Sequence, residues 1–373
     1  MSDYFPVHAL LLEHTQIDRE RRLPPNVYGT VEVNAGDEVV FNDVVLRGRR
    51  TSDYVIVDVA NALGLNPEAD AERLAAAIPF KPNDIIEPGT LLATPGRGIR
   101  KRAIPRAPVY GRVSLVEHGR VILQQEPEVV QVFARLPGTV ADVAQDNSVI
   151  IRNRGALLQC AWGNGQFNMT FFSFEPGFEA GEGASELSGL ADILNLDVSL
   201  SPYRGRTIIL MRPVTEEDLM IIQMRELGGI VAPCAAPDLR EAALRLNVPV
   251  ILTEGFGDLQ PTSRLYDILY DRRTQSAVFD ATPLNFREGT RPEIIIPGGK
   301  RDAPAPDLDQ ALRVGEAVRI RRAPHAGRIG EVMALPAASV RLENGLRVPA
   351  VEVKLRNGER VIVPRANIES LGR

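Results

Sequence analysis

The sequence predicts a multidomain, β-rich protein that carries an α/β part, and three observations lead there. At 373 residues the chain exceeds the size at which one hydrophobic core usually stops growing, so several domains are expected. Its 31 glycines and 28 prolines imply many turns, while an apolar fraction of 44% and a charged fraction of 24% are those of a folded globular protein. Near Arg206 the rhythm changes, from short strands broken by turns to strands alternating with helix-length segments.

Residues 1–26 are set apart as an N-terminal segment. From Val27 the text reads as β: Val27-Tyr28-Gly29-Thr30-Val31-Glu32-Val33, the turn Asn34-Ala35-Gly36-Asp37, then Glu38-Val39-Val40-Phe41 and Val44-Val45-Leu46-Arg47-Gly48. A related phrase returns at Asp84–Ala93 and Arg106–Val113, and more loosely at Ala134–Val140. Between the first two, residues 54–77 place Ala, Leu and acidic residues at helical spacing and predict a helical insertion. The β domain so defined covers 27–174. Trp162-Gly163-Asn164-Gly165-Gln166, the only tryptophan beside two glycines, reads as a binding loop or as a hairpin turn with a packed tryptophan, and Asn-Gly, a strong hairpin signal, favours the hairpin. The Gly-, Glu- and Ser-rich residues 175–205 read as a linker or surface loop.

Residues 206–296 form the predicted α/β domain, in the order strand Thr207–Met211, helix Thr215–Leu227, strand Gly229–Pro233, helix Ala236–Leu246, strand Val248–Leu252, helix Ser263–Tyr270, strand Ser276–Phe279. Thr215-Glu216-Glu217-Asp218 supplies a capping hydroxyl and carboxylates for a helix start. Three crossovers of this length predict a parallel sheet with helices on its faces, a βαβαβαβ block. Ligands of such sheets bind beyond the carboxyl ends of the strands. That rule makes Thr253, Glu254, Gly255, Gly257 and Asp258 candidate ligand-binding residues: a hydroxyl, two carboxylates and glycines that free backbone N–H groups. No His, Lys or metal partner joins them, so no catalytic residue is assigned. A dinucleotide fingerprint, a Walker lysine loop and a nucleophile elbow are all absent. Residues 297–311, with Gly298-Gly299-Lys300-Arg301 and two later prolines, read as a linker.

The last segment, 312–373, resembles a KOW module on an SH3-like β-barrel. The resemblance rests on Val314-Gly315-Glu316-Ala317-Val318-Arg319-Ile320, then Ala323-Pro324-His325-Ala326-Gly327-Arg328-Ile329-Gly330-Glu331-Val332, with Gly330 at the characteristic glycine position. Downstream, Val351–Leu355, the Asn357-Gly358 hairpin, Arg360–Pro364 and Ala366–Leu371 continue the pattern. KOW modules occur in the NusG family of transcription elongation factors and in large-subunit ribosomal proteins, where they contact RNA or protein. The resemblance therefore implies a contact strip of Arg319, Arg321, Arg322, His325 and Arg328, whose guanidinium forks suit phosphate. Because this segment holds no Phe, Tyr or Trp, base stacking is not expected of it.

The recurring β phrase of residues 27–165 resembles the biotinyl/lipoyl-like barrel-sandwich hybrid. Members that carry a cofactor present a lysine on a hairpin tip. Lys81 and Lys101 lie beside proline or in an arginine cluster, so no biotin or lipoyl acceptor motif is found and no cofactor is expected.

Only four of the 43 basic residues are lysines. Residues 312–373 hold 12 Lys+Arg against 6 Asp+Glu, a net +6, on a chain whose total is −5. A basic tail on an acidic body suits a polyanion-facing end or a solvated surface. The two cysteines, Cys160 and Cys234, lie in apolar stretches and are expected reduced and buried, and the four histidines show no metal-ligand spacing. Without an apolar run long enough to span a membrane, or a secretion pattern at Met1-Ser2-Asp3-Tyr4, the expected location is the cytoplasm. The expected function is a non-enzymatic cytoplasmic adaptor or assembly protein whose tail contacts RNA, a ribonucleoprotein or a protein. The alternative is a ligand-binding protein or enzyme centred on Thr253–Asp258.

Overall fold

The structure is a computed structural model that describes residues 7–94, 104–144, 148–177, 190–191, 202–259, 261–285, 289–299, 302–306, 311–322, 324–342 and 345–371. It is β-rich, with several sheets around one large mixed sheet. The predicted linker 175–205 lies mostly outside the described residues, as do Lys101 and Lys300.

The α/β elements fall where the sequence places them. Strands Phe167–Phe174, Thr207–Ile209, Gly229–Ala235 and Val250–Phe256 run parallel and adjacent in that order. Side-chain alternation splits them between two cores. Ile208, Ile230, Val250 and Leu252 pack with Leu219, Ile222 and Ala243 of the helices Glu216–Met224 and Arg240–Leu244. Ile209, Val231 and Ile251 face the opposite way, onto Leu265, Ile268 and Leu269 of the helix Ser263–Asp271. A sheet covered on both faces needs the continuous apolar strands seen here. The first helix starts on a full capping box: the Thr215 hydroxyl accepts from the Asp218 amide at 3.2 Å, and the Asp218 carboxylate accepts from the Thr215 amide at 2.8 Å. Arg212 donates to both oxygens of that carboxylate, at 2.7 and 2.9 Å.

Four expectations require correction. The last strand, Ser276–Asp280, is antiparallel to both its neighbours, Phe167–Phe174 and Glu293–Pro297, so the sheet is mixed and the parallel block ends one strand early. The helix–strand rhythm fixes that a chain returns to the sheet, not at which edge or in which direction. Second, residues 11–21 are the long strand Leu11–Arg21, paired antiparallel along Val149–Gln159. Third, Tyr54–Asp58 is a strand, as its β-branched Val-Ile-Val favours, and only the short helices Val59–Leu63 and Ala71–Ala77 follow. These elements belong to a four-stranded unit, with Arg120–Gln124, Gly111–Glu117 and Ile85–Ile86, that encloses its own core around Val59, Ile86, Leu92, Val113 and Leu123. Fourth, Trp162–Gly163 is no hairpin arm but pairs with the 250–256 strand, and Trp162 meets Phe256 edge-on at 5.0 Å. Asn164 fixes this corner by donating to the carbonyls of Ala243 and Val248 and accepting from the Val250 amide.

The C-terminal segment forms a separate six-stranded sheet with its own core of Val318, Ile320, Val332, Val351, Val353 and Ile368. Its strands are Ala317–Ile320, Ile329–Ala334, Ala350–Leu355, Arg360–Pro364 and Ile368–Leu371, and the N-terminal Val7–Ala9 adds the sixth, parallel to Ile368–Leu371. Gly330 is required by this packing: a Cβ there would stand 2.5 Å from the Lys354 carbonyl oxygen. The first and last described strands thus pair in one sheet.

Candidate functional site

The two groups of residues singled out in the sequence meet each other. At the carboxyl end of the 250–256 strand, Thr253 and Glu254 are buried, and the C-terminal sheet sits over them. The Glu254 carboxylate lies 3.0 Å from Nη1 of Arg319, and its Oε1 accepts from the Thr262 amide at 3.0 Å and from the Thr253 hydroxyl at 3.3 Å. Arg319 also donates to the Thr262 hydroxyl at 3.3 Å.

On its other side Arg319 faces Glu369, its cross-strand partner, at 3.8 Å. Glu369 in turn accepts from Arg291 at 2.9 Å, and Arg291 reaches the Cys160 carbonyl at 3.3 Å. Glu254, Arg319, Glu369 and Arg291 therefore form an alternating chain of four charges. Their side chains are only 0, 6, 7 and 9% exposed, so each charge depends on its neighbours rather than on water.

The contact extends along the edge. Leu259 lies against the turn of the C-terminal sheet at Gly327, where φ is +78° and a Cβ would come within 2.5 Å of Leu259 Cδ2. Arg356 donates to the Ser263 hydroxyl at the start of the last helix, at 3.1 Å. Of the other candidates at this edge, Gly255 is buried, with φ of +108°, Gly257 has φ of +121°, and the exposed Asp258 points outward. The anticipated contact strip is divided in the same way. Arg319 turns inward as the ion-pair partner of Glu254, whereas Arg321, Arg322 and Arg328 are exposed and His325 is half-buried. Arg328 pairs with Glu359 at 3.1 Å.

A second constellation escaped the sequence entirely. A cleft of about 1020 Å³ opens between the three-stranded sheet 27–50/129–133 and the large sheet. Part of its wall is a row of directly opposed residues on four adjacent strands: Phe167 faces Asp280, Asp280 faces Glu293, and Glu293 faces Gln159. Opposed residues project on the same side of a sheet, and all four line the cleft. Two adjacent carboxylates in such a row repel each other. Arg19 neutralises Glu293 with a two-pronged contact of 2.6 and 2.5 Å. Burial opposes the charge on Arg19, yet Glu293 outweighs it and raises the guanidinium pKa. Asp280 has no such partner among the described residues. Its carboxyl is pushed above the ordinary range, first by burial and then by Glu293.

Arg21 and Arg135 also line this cleft. Arg21 follows Arg19 by two positions on the same strand and donates to the Ala134 carbonyl at 2.8 Å. Arg135, at φ of +52°, lays its guanidinium over the Phe167 ring at 3.8 Å. Burial lowers the pKa of both, opposed in both by the nearby Asp280 carboxyl and in Arg21 also by Glu293. The signals present in the sequence were the Arg-x-Arg alternation at 19–21 and the isolated Asp280 and Glu293 ending and beginning apolar strands; nothing in the sequence joined them.

Among the described residues no group of three His, Cys, Asp or Glu is arranged to hold a metal ion, and no helix is long and apolar enough to cross a membrane. Both cysteines are free and buried, and burial pushes the Cys160 thiol up to about 12. Compared with known proteins, the chain matches no family model and no curated sequence.

Proposed function

We propose that the protein is a non-enzymatic cytoplasmic adaptor, in which the C-terminal domain is an SH3-like KOW barrel that contacts the phosphate backbone of RNA or of a ribonucleoprotein. The observation that carries this reading is the orientation of the barrel. Its inner face is committed to the sheet edge through Arg319, while Arg321, Arg322 and Arg328 stay exposed on the strand-linking loop with His325 beside them. The same docking supports a structural reading of Thr253, Glu254, Gly255, Gly257 and Asp258, since Arg319 occupies the position a ligand would take at that edge. The N-terminal β region is read as a barrel-sandwich-like scaffold without a swinging-arm cofactor.

Binding of the full chain to a generic single-stranded RNA, followed across a salt series, tests the proposal. Phosphate contact by two or three arginines requires affinity that falls log-linearly with salt, with a slope reduced by about 0.7 for each arginine removed. Replacing Arg321 and Arg322 by Gln should lower the slope accordingly. Absence of binding at low salt, or a slope the double variant does not change, would contradict it.

A further inference from the structure

We propose that the cleft between the three-stranded sheet and the large sheet is a binding site for a small organic oxyanion, a phosphorylated or carboxylated molecule of up to nucleotide size, held between Arg21 and Arg135. This site is separate from the barrel surface and does not depend on the RNA-contact reading.

The argument begins with the charges lining the cleft. Five arginines (19, 21, 22, 135 and 291) and four acids (Asp18, Glu20, Asp280 and Glu293) contribute to it. Most are already matched: Arg19 with Glu293, Arg22 with Glu20 at 2.7 Å, Arg291 with Glu369, and Asp18 with Arg152 at 2.7 Å. Arg21, Arg135 and Asp280 are left without an ion-pair partner among the described residues. Two guanidinium groups in a partly dehydrated recess, each disfavoured by its surroundings, are stabilised by an anion that reaches both. The Asp280 carboxyl, near enough to both guanidinium groups to favour their charge, is one acid against two arginines, which leaves room for a further anion.

Arrangement and size agree. Arg135 sits over the Phe167 ring at 3.8 Å, a contact that restricts its guanidinium and reduces the entropy lost on binding. The Arg21 guanidinium is anchored through Nε by the Ala134 carbonyl, the residue next to Arg135, so the two cations are tied to one piece of backbone. Leu10, Phe133, Leu157 and Leu284 give the recess apolar wall, and Gln159 and Asn285 supply amides. A volume of about 1020 Å³ lies at the upper end of the range of small-molecule sites.

The test uses the full-length protein with pyrophosphate and with citrate as probes, at constant ionic strength maintained with chloride, read by titration calorimetry and by thermal shift. Expected is saturable binding of at least one probe at one site per chain, accompanied by a rise in Tm. Affinity should fall by about tenfold or more in Arg135→Gln, a variant that orphans no hydrogen-bond acceptor, and in Arg21→Gln, and should be unchanged in the Arg321→Gln/Arg322→Gln protein. The better probe identifies phosphate or carboxylate as the preferred oxyanion. The proposal is overturned by absence of saturable binding at millimolar probe, by equal affinity in Arg135→Gln, or by loss of binding in the Arg321/Arg322 double variant instead.

Discussion

Among the described residues, the arginine–carboxylate cluster at the sheet edge and the one in the cleft are built to opposite ends. At the sheet edge, Glu254, Arg319, Glu369 and Arg291 alternate in sign and are sealed under the C-terminal sheet. In the cleft, Arg19 and Glu293 are matched, but Arg21, Arg135 and Asp280 have no ion-pair partner among the described residues. The same residue types therefore serve as a clamp in one place and as an open recess in the other. The difference lies in completeness of pairing: a buried chain of alternating charges fastens the C-terminal sheet to the edge of the large sheet, whereas the half-buried Arg21 and Arg135 leave positive charge facing the recess.

The largest expected effect breaks the sealed cluster. Glu254→Gln leaves Arg319 buried against Glu369 alone and should cost about 3–5 kcal/mol in urea unfolding. A loss no larger than that of a surface substitution would mean the cluster is hydrated and the contrast false. Next comes the matched half of the cleft. Arg19→Met exposes Glu293 to Asp280 uncompensated and should cost about 3 kcal/mol, measured in the same way.

Asp280 sharpens the contrast through pH. Its folded pKa is raised, so its contribution to stability is fully present below the unfolded value of about 3.9 and is lost as pH rises through the folded value. Relative to Asp280→Asn, the wild-type protein should therefore be favoured most in acid and progressively less toward neutrality. Urea midpoints across that interval check the sign, and a difference that stays flat or grows with pH would refute it. A smaller effect is expected at the surface: Arg321→Gln and Arg322→Gln should each change stability by less than about 0.5 kcal/mol while weakening RNA binding. The smallest is no effect at all. Cys160, with its thiol pushed up to about 12, should not react with a thiol reagent in the native protein at neutral pH, and its labelling should follow global unfolding.

What could be read from the sequence follows the range of the interactions involved. The capping box at Thr215 and Asp218 is a matter of three residues, and it marks a helix start both in the sequence and in the structure. The apolar runs at 207–211, 229–233 and 248–252 announce buried parallel strands for the same local reason. Direction is not local, and Ser276–Asp280 is antiparallel to a neighbour, Phe167–Phe174, that lies more than a hundred positions away in sequence. The charged text of Glu13 to Arg22 hid a strand whose apolar anchors are only Leu11, Leu12 and Ile17; its long partner Val149–Gln159 supplies the rest. Glu254 and Arg319 were each singled out, as ligand site and RNA contact, yet nothing in the sequence indicates that residues 65 apart neutralise each other. The cleft assembles from six strands and the loops between them, so its row Phe167, Asp280, Glu293, Gln159 exists only in register.

The central claim is that the C-terminal sheet is fastened to the α/β edge by a buried charge pair. A double-mutant cycle on Glu254→Gln and Arg319→Met, measured by urea unfolding of the full chain, tests it most directly. A coupling energy of about 2–3 kcal/mol, with the double variant more stable than the sum of the single losses predicts, is the expected result. Additive losses, with coupling below about 0.5 kcal/mol, would show that the two side chains do not act as a pair and that the clamp does not exist.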